Sequence, residues 1–326
     1  MIEANVICDS INESGNRLTS VLVEYPRIVH SEQLKHRMFS TSAASSRAIP
    51  FSKMVEQLKG IPVRFGKNIA GMQDDGEHTQ IIQGRYVESQ EYEPGYCRKH
   101  TAEAAWEEAK KDAVFWSKAF SDAGYHKQIS GRLTEPFQMM RVLITATEWE
   151  NFWWLRNDVA ADPTLHEVAR VMLEAYNASK PQLLEVGEYH LPFVVTTRNT
   201  KGLQEFWEDN YDGHILSTEE AIRVSCARCA AQSFRNTDYG LEKSKQVYDR
   251  LVNGDKIHAG ALEHVGTPMK QPKYLTECSG SCYGVDVAND WEEGVSHMDR
   301  NGQLWSGNLR GFIQHRKTVK GECYNG

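Results

Sequence analysis

The chain has 326 residues, 40% of them hydrophobic and 25% charged, with a formal net charge of −7 at pH 7. That length buries a sizeable core in one large domain or two small ones, and the negative balance argues against broad nucleic-acid binding. No apolar run approaches the roughly 18 residues that span a bilayer, and MIEANVICDS has neither a basic n-region nor an apolar h-region. The expectation is a cytoplasmic protein with no membrane and no nucleic-acid partner.

Residues 2–29 predict two strands, NVICDS and TSVLVEYPRIV, joined by the turn residues NESGN. Residues 30–40 predict a helix and 52–58 a second, short one. From 60 to 100 the composition turns to Gly, Asp and polar residues, which predicts a long ordered loop with one edge strand. Thr101 to Ala123 predicts a strong helix. Its Trp106, Ala109, Ala113, Trp116 and Phe120 recur at steps of three and four, and Gly124 follows as a stop. That stripe is expected to pack in the core.

Asp162 (N-cap) and Pro163 (first turn) start a further helix that carries Leu165, Val168, Val171 and Met172 inward. Ser217-Thr-Glu-Glu220 fits a capping box for a helix through Ala231. Another helix runs from Tyr239 to Val252 and ends at Asn253-Gly254. From 285 onward the chain reads as short strands and loops. No repeat, low-complexity tract or linker interrupts it, so a single intertwined α+β domain over 1–326 is the simplest account.

Seven cysteines, an odd count, suit a reduced compartment. The pairs Cys226/Cys229 and Cys278/Cys282 together offer four thiolates to zinc. SCARCAAQSF reads as a helix, however, in which small cysteines serve as core residues, and no metal site is expected. The Trp149, Trp153 and Trp154 cluster is likewise expected in the core.

One stretch is chemically unusual. KHRMFSTSAASSRAIP, Lys35 to Pro50, holds three cations, four serines and a threonine, and no carboxylate. Arg37 and Arg47 carry planar forks suited to phosphate or carboxylate. Ser40, Ser42, Ser45 and Ser46 add short donors and acceptors, and Ala43 and Ala44 permit close backbone approach. On its own the segment suits either an anion-binding turn or a polar loop capping a helix.

The order His36-Arg37-x-x-Ser40-x-x-x-x-Ser45-x-Arg47 resembles the signature of the flavin-dependent thymidylate synthases, in its longer, often virus-encoded branch. GYHKQISGRLTEPF and TATEWENFWWLR resemble the second half of that family, and His258-Ala-Gly-Ala-Leu-Glu263-His264 resembles its His-x-x-Pro-Phe-Glu-His segment in a permuted order, followed by SGNLRGFIQHRK. The matching blocks are 1–60, 120–175 and 255–317. Five positions depart from that pattern. Lys35 replaces the leading arginine, Ser42 the signature asparagine and Thr145 a second asparagine, while Ala261 and Leu262 replace Pro and Phe. Lys35 keeps charge without bidentate geometry; Ser42 and Thr145 keep a shorter polar group.

The resemblance implies an α+β fold with a mixed or antiparallel central sheet and flanking helices. It implies C5 methylation of deoxyuridine monophosphate, with carbon from methylene tetrahydrofolate, hydride from reduced FAD, and NADPH as reductant. Glu32, Ser45, Ser46, Arg47, Arg132 and Arg156 would bind the pyrimidine deoxynucleotide. Arg156 would stabilise charge on the uracil ring, and Ser45 is the one hydroxyl proposable as a nucleophile, though without a partner base its better role is on the phosphate. Lys35, His36, Arg37, Ser42, Thr145, Asn151 and His258 would hold the flavin. Lys127 and Gln128 either contact substrate or cap a helix. Glu263 and His264 lack a third metal ligand at a convincing spacing. A homotetramer is implied, in the host's cytoplasm for a virus-encoded chain. Ser42 and Thr145 also motivate two alternatives: a hydroxymethylase acting on deoxyuridylate or deoxycytidylate, and a nucleotide-binding homologue without catalysis.

Overall fold

A computed structural model describes residues 2–44, 51–70, 74–86, 97–208, 213–232, 239–254, 256–270 and 291–323. The chain opens with β1 (Glu3–Asn12), β2 (Arg17–Pro26), α1 (His30–Gln33), β3 (Ser40–Ala43) and α2 (Phe51–Val55). Four short strands follow: β4 (Gly66–Asn68), β5 (Asp74–Glu77), β6 (Ile82–Tyr86) and β7 (Cys97–His100). The middle holds α3 (Ala102–Asp122), α4 (Lys127–Ser130), β8 (Met139–Ala146), α5 (Glu150–Arg156), α6 (Pro163–Ala178) and β9 (Gln182–Leu184). Then come β10 (Val195–Arg198), β11 (Gln204–Trp207), β12 (Ile215–Leu216), α7 (Thr218–Ala231) and α8 (Leu241–Val252). The last described strands are β13 (Gly266–Pro268), β14 (His297–Met298), β15 (Leu304–Ser306), β16 (Leu309–Arg310) and β17 (Phe312–Gln314).

The architecture is mixed α+β. Its largest sheet has five strands in the order β3-β8-β2-β1-β9. The β1–β2, β2–β8 and β3–β8 pairs are antiparallel, and β9 lies parallel to β1. Because strand side chains alternate between faces, β2 and β8 each supply two surfaces. Val21, Val23 and Tyr25 with Val142 and Ile144 pack against Phe152 of α5 and Leu165, Val168 and Met172 of α6. Leu22 and Leu143 project to the other side, where they meet Val224, Cys226 and Cys229 of α7 and Leu262. The sheet is therefore covered by helices on both faces, which explains why Val21, Leu22 and Val23 of β2 are apolar in succession.

Several local rules hold as read. Asp162 accepts from the Thr164 and Leu165 backbone N–H groups at 2.9 Å, with Pro163 in the first turn of α6. Leu165, Val168 and Met172 are wholly buried, and Val171 is half-buried. Ser217 and Glu220 close the reciprocal capping box of α7. Gly124 sits at φ +82° after α3, in the left-handed region that glycine tolerates. Cys226 and Cys229 are buried in α7, and burial pushes both thiols up. Cys278 and Cys282 lie outside the described residues.

Four expectations are corrected. The helix over 30–40 stops after Gln33, because Ser40–Ala43 instead pairs along the edge of β8; a run of Ser and Thr is a weak helix former and satisfies its backbone there. The 60–100 segment carries β4–β5 and β6–β7, two separate two-stranded sheets. The α3 stripe does not reach the core: Trp106 and Phe120 are half-buried, and Trp116 is 57% exposed beside Phe115 at 63%. The face that α3 turns inward is marked by Ser117, whose hydroxyl donates to the Ser130 carbonyl at 2.8 Å. Finally, Trp149 is buried and stacks on Trp153, but Trp154 is 76% exposed.

Candidate functional site

Five of the residues singled out by sequence meet in one cavity of about 250 Å3, lined by Lys35, His36, Arg37, Asn151 and Arg156 among others. The turn after α1 brings the first three, and five positions along α5 separate Asn151 from Arg156. Phe152, between them, turns inward against Phe39 and anchors the helix. The Arg156 Nε–H donates to His36 Nε2 at 3.0 Å, and Arg156 Nη1 lies 3.8 Å from Glu32. His36 stands edge-on to Phe152, ring centroids 4.8 Å apart. Desolvation, with the Arg156 charge adding to it, pushes His36 down to about 4. His36 is thus neutral near pH 7, accepts on Nε2 and carries its proton on Nδ1. Lys35 and Arg37 are exposed and have no ion-pair partner among the described residues.

A larger cavity of about 1140 Å3 contains Ser42 and His258. It lies between β3, the start of α4, the ends of α7 and α8, and the turn at Ala259–Ala261. Lys127, Lys243 and Arg250 line it together with His126, and no carboxylate appears among its described lining residues. Such a surface favours an extended anionic ligand. Lys127 therefore borders a cavity; the Gln128 backbone N–H is held by His126, which caps α4. A Cβ added at Gly260 would meet nothing within 4 Å, so the cavity wall is open there.

The residues expected to hold flavin thus divide between two cavities, and β3 leads from one toward the other. Thr145 lines neither. It is wholly buried in β8, and its hydroxyl bonds Ser20 at 2.6 Å and His264 Nδ1 at 2.8 Å. His264 Nε2 reaches Ser42 at 2.9 Å. The two positions where asparagine is replaced are joined through one imidazole. Arg132 is exposed and lines neither cavity. Ser45, Ser46 and Arg47 lie outside the described residues. Glu263 pairs with Arg316 rather than with His264.

Sequence reasoning missed the residues that brace this region from the C-terminal segment. Asn308 Nδ2 donates to the Met38 carbonyl at 2.9 Å and to Ser40 at 3.1 Å, and Gln314 donates to Asn308 at 2.8 Å. The Arg310 backbone N–H donates to Thr147, and its Nε–H to Glu148 at 2.7 Å. Burial holds the Glu148 carboxyl above its usual range despite Arg310. SGNLRGFIQHRK followed the matching blocks, but nothing in its pattern named these partners.

No family model matches the sequence, and no curated protein matches it. Among solved structures the chain is similar to a UMP/dUMP methylase PolB from Streptomyces cacaoi bound with 5-Br dUMP. The TM-score is 0.39 at 12% identity, over 54% of this chain and 90% of that one. At that level of likeness, what the site does must be read from this chain's own residues.

Proposed function

We propose that the chain is a flavin-dependent pyrimidine nucleotide methylase acting on deoxyuridine monophosphate. The observation that carries this reading is the gathering of Lys35, His36, Arg37, Asn151 and Arg156 in one cavity, with β3 leading from it to Ser42 and His258 in a second. The larger cavity fits FAD in volume, in its three cations with no carboxylate among its described lining residues, and in its apolar Val247 and Leu251. Bound and reduced by NADPH, FAD would supply the hydride that completes a methyl group whose carbon comes from methylene tetrahydrofolate.

The chain's own part is positioning and charge. Arg156 has five N–H donors, of which His36 takes one. Nη1 lies 3.8 Å from Glu32, and the remaining donors are left for a nucleotide, where a fixed guanidinium stabilises negative charge as it builds on the pyrimidine ring. The neutral His36 holds the guanidinium without cancelling its charge, and Glu32 offsets part of that charge. Lys35 and Arg37 offer cations to phosphate groups, and Ser45, Ser46, Arg47 and Arg132 are assigned to the nucleotide phosphate from sequence. Exposed Phe115 and Trp116 suit a subunit interface, and the resemblance implies a homotetramer, four times the 37.1 kDa chain in light scattering. Hydroxymethyl transfer is a second reading, favoured by the bonding of both replaced positions, Ser42 and Thr145, to His264.

Mass spectrometry of products from deoxyuridylate and deoxycytidylate, supplied side by side with FAD, NADPH and methylene tetrahydrofolate, tests this. Thymidylate is expected; a hydroxymethyl product selects the second reading. A protein that neither retains FAD nor oxidises NADPH overturns both. Arg156→Lys keeps charge but loses the Nε–H bond to His36, and should weaken deoxyuridylate binding by about 10- to 100-fold, as expected for a charged hydrogen bond. Titration calorimetry measures that loss.

A further inference from the structure

Six side chains link end to end across the sheet. Ser10 Oγ lies 2.8 Å from His190 Nδ1, and His190 Nε2 lies 2.8 Å from Ser20 Oγ. Ser20 meets Thr145 at 2.6 Å, Thr145 meets His264 Nδ1 at 2.8 Å, and His264 Nε2 meets Ser42 at 2.9 Å. The row follows the strand order: β1, β2, β8 and β3 each give one hydroxyl, and an imidazole spans each outer gap. Its four inner members are wholly buried. Its ends border different cavities. Ser42 lines the large one, and Ser10 lines another of about 330 Å3 shared with Asp9, Tyr189 and exposed Lys180.

Counting hydrogens restricts what this row can be. Burial pushes both imidazoles down to about 3, so each is neutral near pH 7 and has one N–H. Six groups then bring six hydrogens to five links, leaving one hydrogen over. It cannot rest on Ser20 or Thr145, which have no further acceptor among the described residues. It therefore sits at Ser42 or at Ser10. In the first case both histidines are protonated on Nε2; in the second, both on Nδ1. The Cys8 thiol near the Ser10 end is pushed up to about 12, mainly by desolvation, so it stays protonated and brings no charge to the row.

We propose that this row is a proton relay through the sheet, connecting water in the Ser10 cavity with a basic atom of a ligand at Ser42. The proposal does not depend on which ligand fills the larger cavity. With the spare hydrogen at Ser42, the ligand atom takes that proton. The Ser42 oxygen then takes one from His264 Nε2, and His264 Nδ1 takes one from Thr145. Thr145 takes one from Ser20, Ser20 one from His190 Nε2, and His190 Nδ1 one from Ser10. Ser10 takes one from a water, which leaves as hydroxide for solvent to neutralise. The ligand gains one proton and no residue changes charge. Both imidazoles have changed tautomer, so the row is now set to run the other way and can accept a proton from the ligand side. Ser42, at an asparagine position of the resembling family, is the terminus that makes this exchange, while Thr145 and His264 act through it.

Long-range 1H–15N spectra of the full-length protein with 15N-labelled histidine read the tautomers directly. The wild-type protein should show the same tautomer populations at His190 and His264. Ser42→Ala should drive both rings to Nδ1–H, and Ser10→Ala should drive both to Nε2–H, each acting on the far imidazole across the sheet. Thr145→Val should confine each effect to the nearer ring. Ser42→Thr, which restores a hydroxyl, should return the wild-type pattern. Opposite tautomers in the wild-type protein overturn the relay, and that spectrum needs no variant to fold. So does a set of variants in which each serine changes only its adjoining ring.

Discussion

The two faces of the central sheet are built from alternating residues of the same strands, yet they differ in kind. Toward α6, β2 and β8 present Val21, Val23, Tyr25, Val142 and Ile144 to an apolar cluster closed by Trp149 and Phe152. Toward α7, the same strands present Leu22 and Leu143 beside Ser20 and Thr145, which face each other across the β2–β8 ladder. Two buried hydroxyls in an apolar layer need partners, and His190 and His264 supply them. The α6 face is thus stabilised by close packing. The α7 face gives up some apolar contact for a hydrogen-bonded row that borders both the Ser10 and Ser42 cavities. One sheet serves as a packed wall on one side and a chemical surface on the other.

That contrast can be broken most sharply on the apolar side. Trp149 is wholly buried, stacks on Trp153 with centroids 5.1 Å apart, and donates to the Ala146 carbonyl at 3.0 Å. Trp149→Ala should cost about 3–5 kcal/mol of stability, measured by guanidinium unfolding. A next, smaller effect sharpens the polar side. Unfolded histidine titrates near 6.5, and His190 and His264 do so near 3 when folded. Between those values the unfolded chain binds more protons, so stability rises with pH and is lost as pH falls below about 6.5. Each ring contributes a slope of about 1.4 kcal/mol per pH unit. His264→Gln should flatten the measured slope by that amount, whereas Trp149→Ala should leave it unchanged. The smallest effect concerns the outer surface of α5. Trp154 is 76% exposed, so Trp154→Ser should change stability by less than about 0.5 kcal/mol in the same unfolding assay.

Much of the scaffold was legible because it obeys local rules. The β1–β2 hairpin, the Asp162-Pro163 start of α6, the capping box of α7 and the Gly124 stop are each set by residues within a few positions of one another. The gathering of His36, Arg37, Asn151 and Arg156 was legible for another reason: the motif spacing is unusual, and the turn after a four-residue helix and a seven-residue helix carry its two halves. The α3 stripe misled because periodicity reports an apolar face without saying what covers it. Phe115 and Trp116 show such a face with no cover from the described residues of this chain. The fate of Ser40–Ala43 was equally illegible, since an edge strand is decided by the free edge of β8, about a hundred residues further on.

The amino-acid sequence by itself determined the β1–β2 hairpin, helices α3, α6 and α7, the helix caps, the burial of Leu165, Val168 and Met172, and the chemical character of the Lys35–Arg47 stretch. Only the tertiary structure decided that Thr145 turns away from both cavities, that Ser42 shares His264 with it, and that Asn308 and Arg310 brace the region from the C-terminal segment. His190 is the clearest case. It lies in an irregular segment with no periodicity, and its backbone is pinned to Gly266 by hydrogen bonds of 2.8 and 3.3 Å. Its ring is placed by the need of Ser10 and Ser20, 180 and 170 residues away, for buried partners. Local propensity acts over a few residues, whereas the satisfaction of a buried polar group is settled by whatever the completed fold brings within hydrogen-bonding distance.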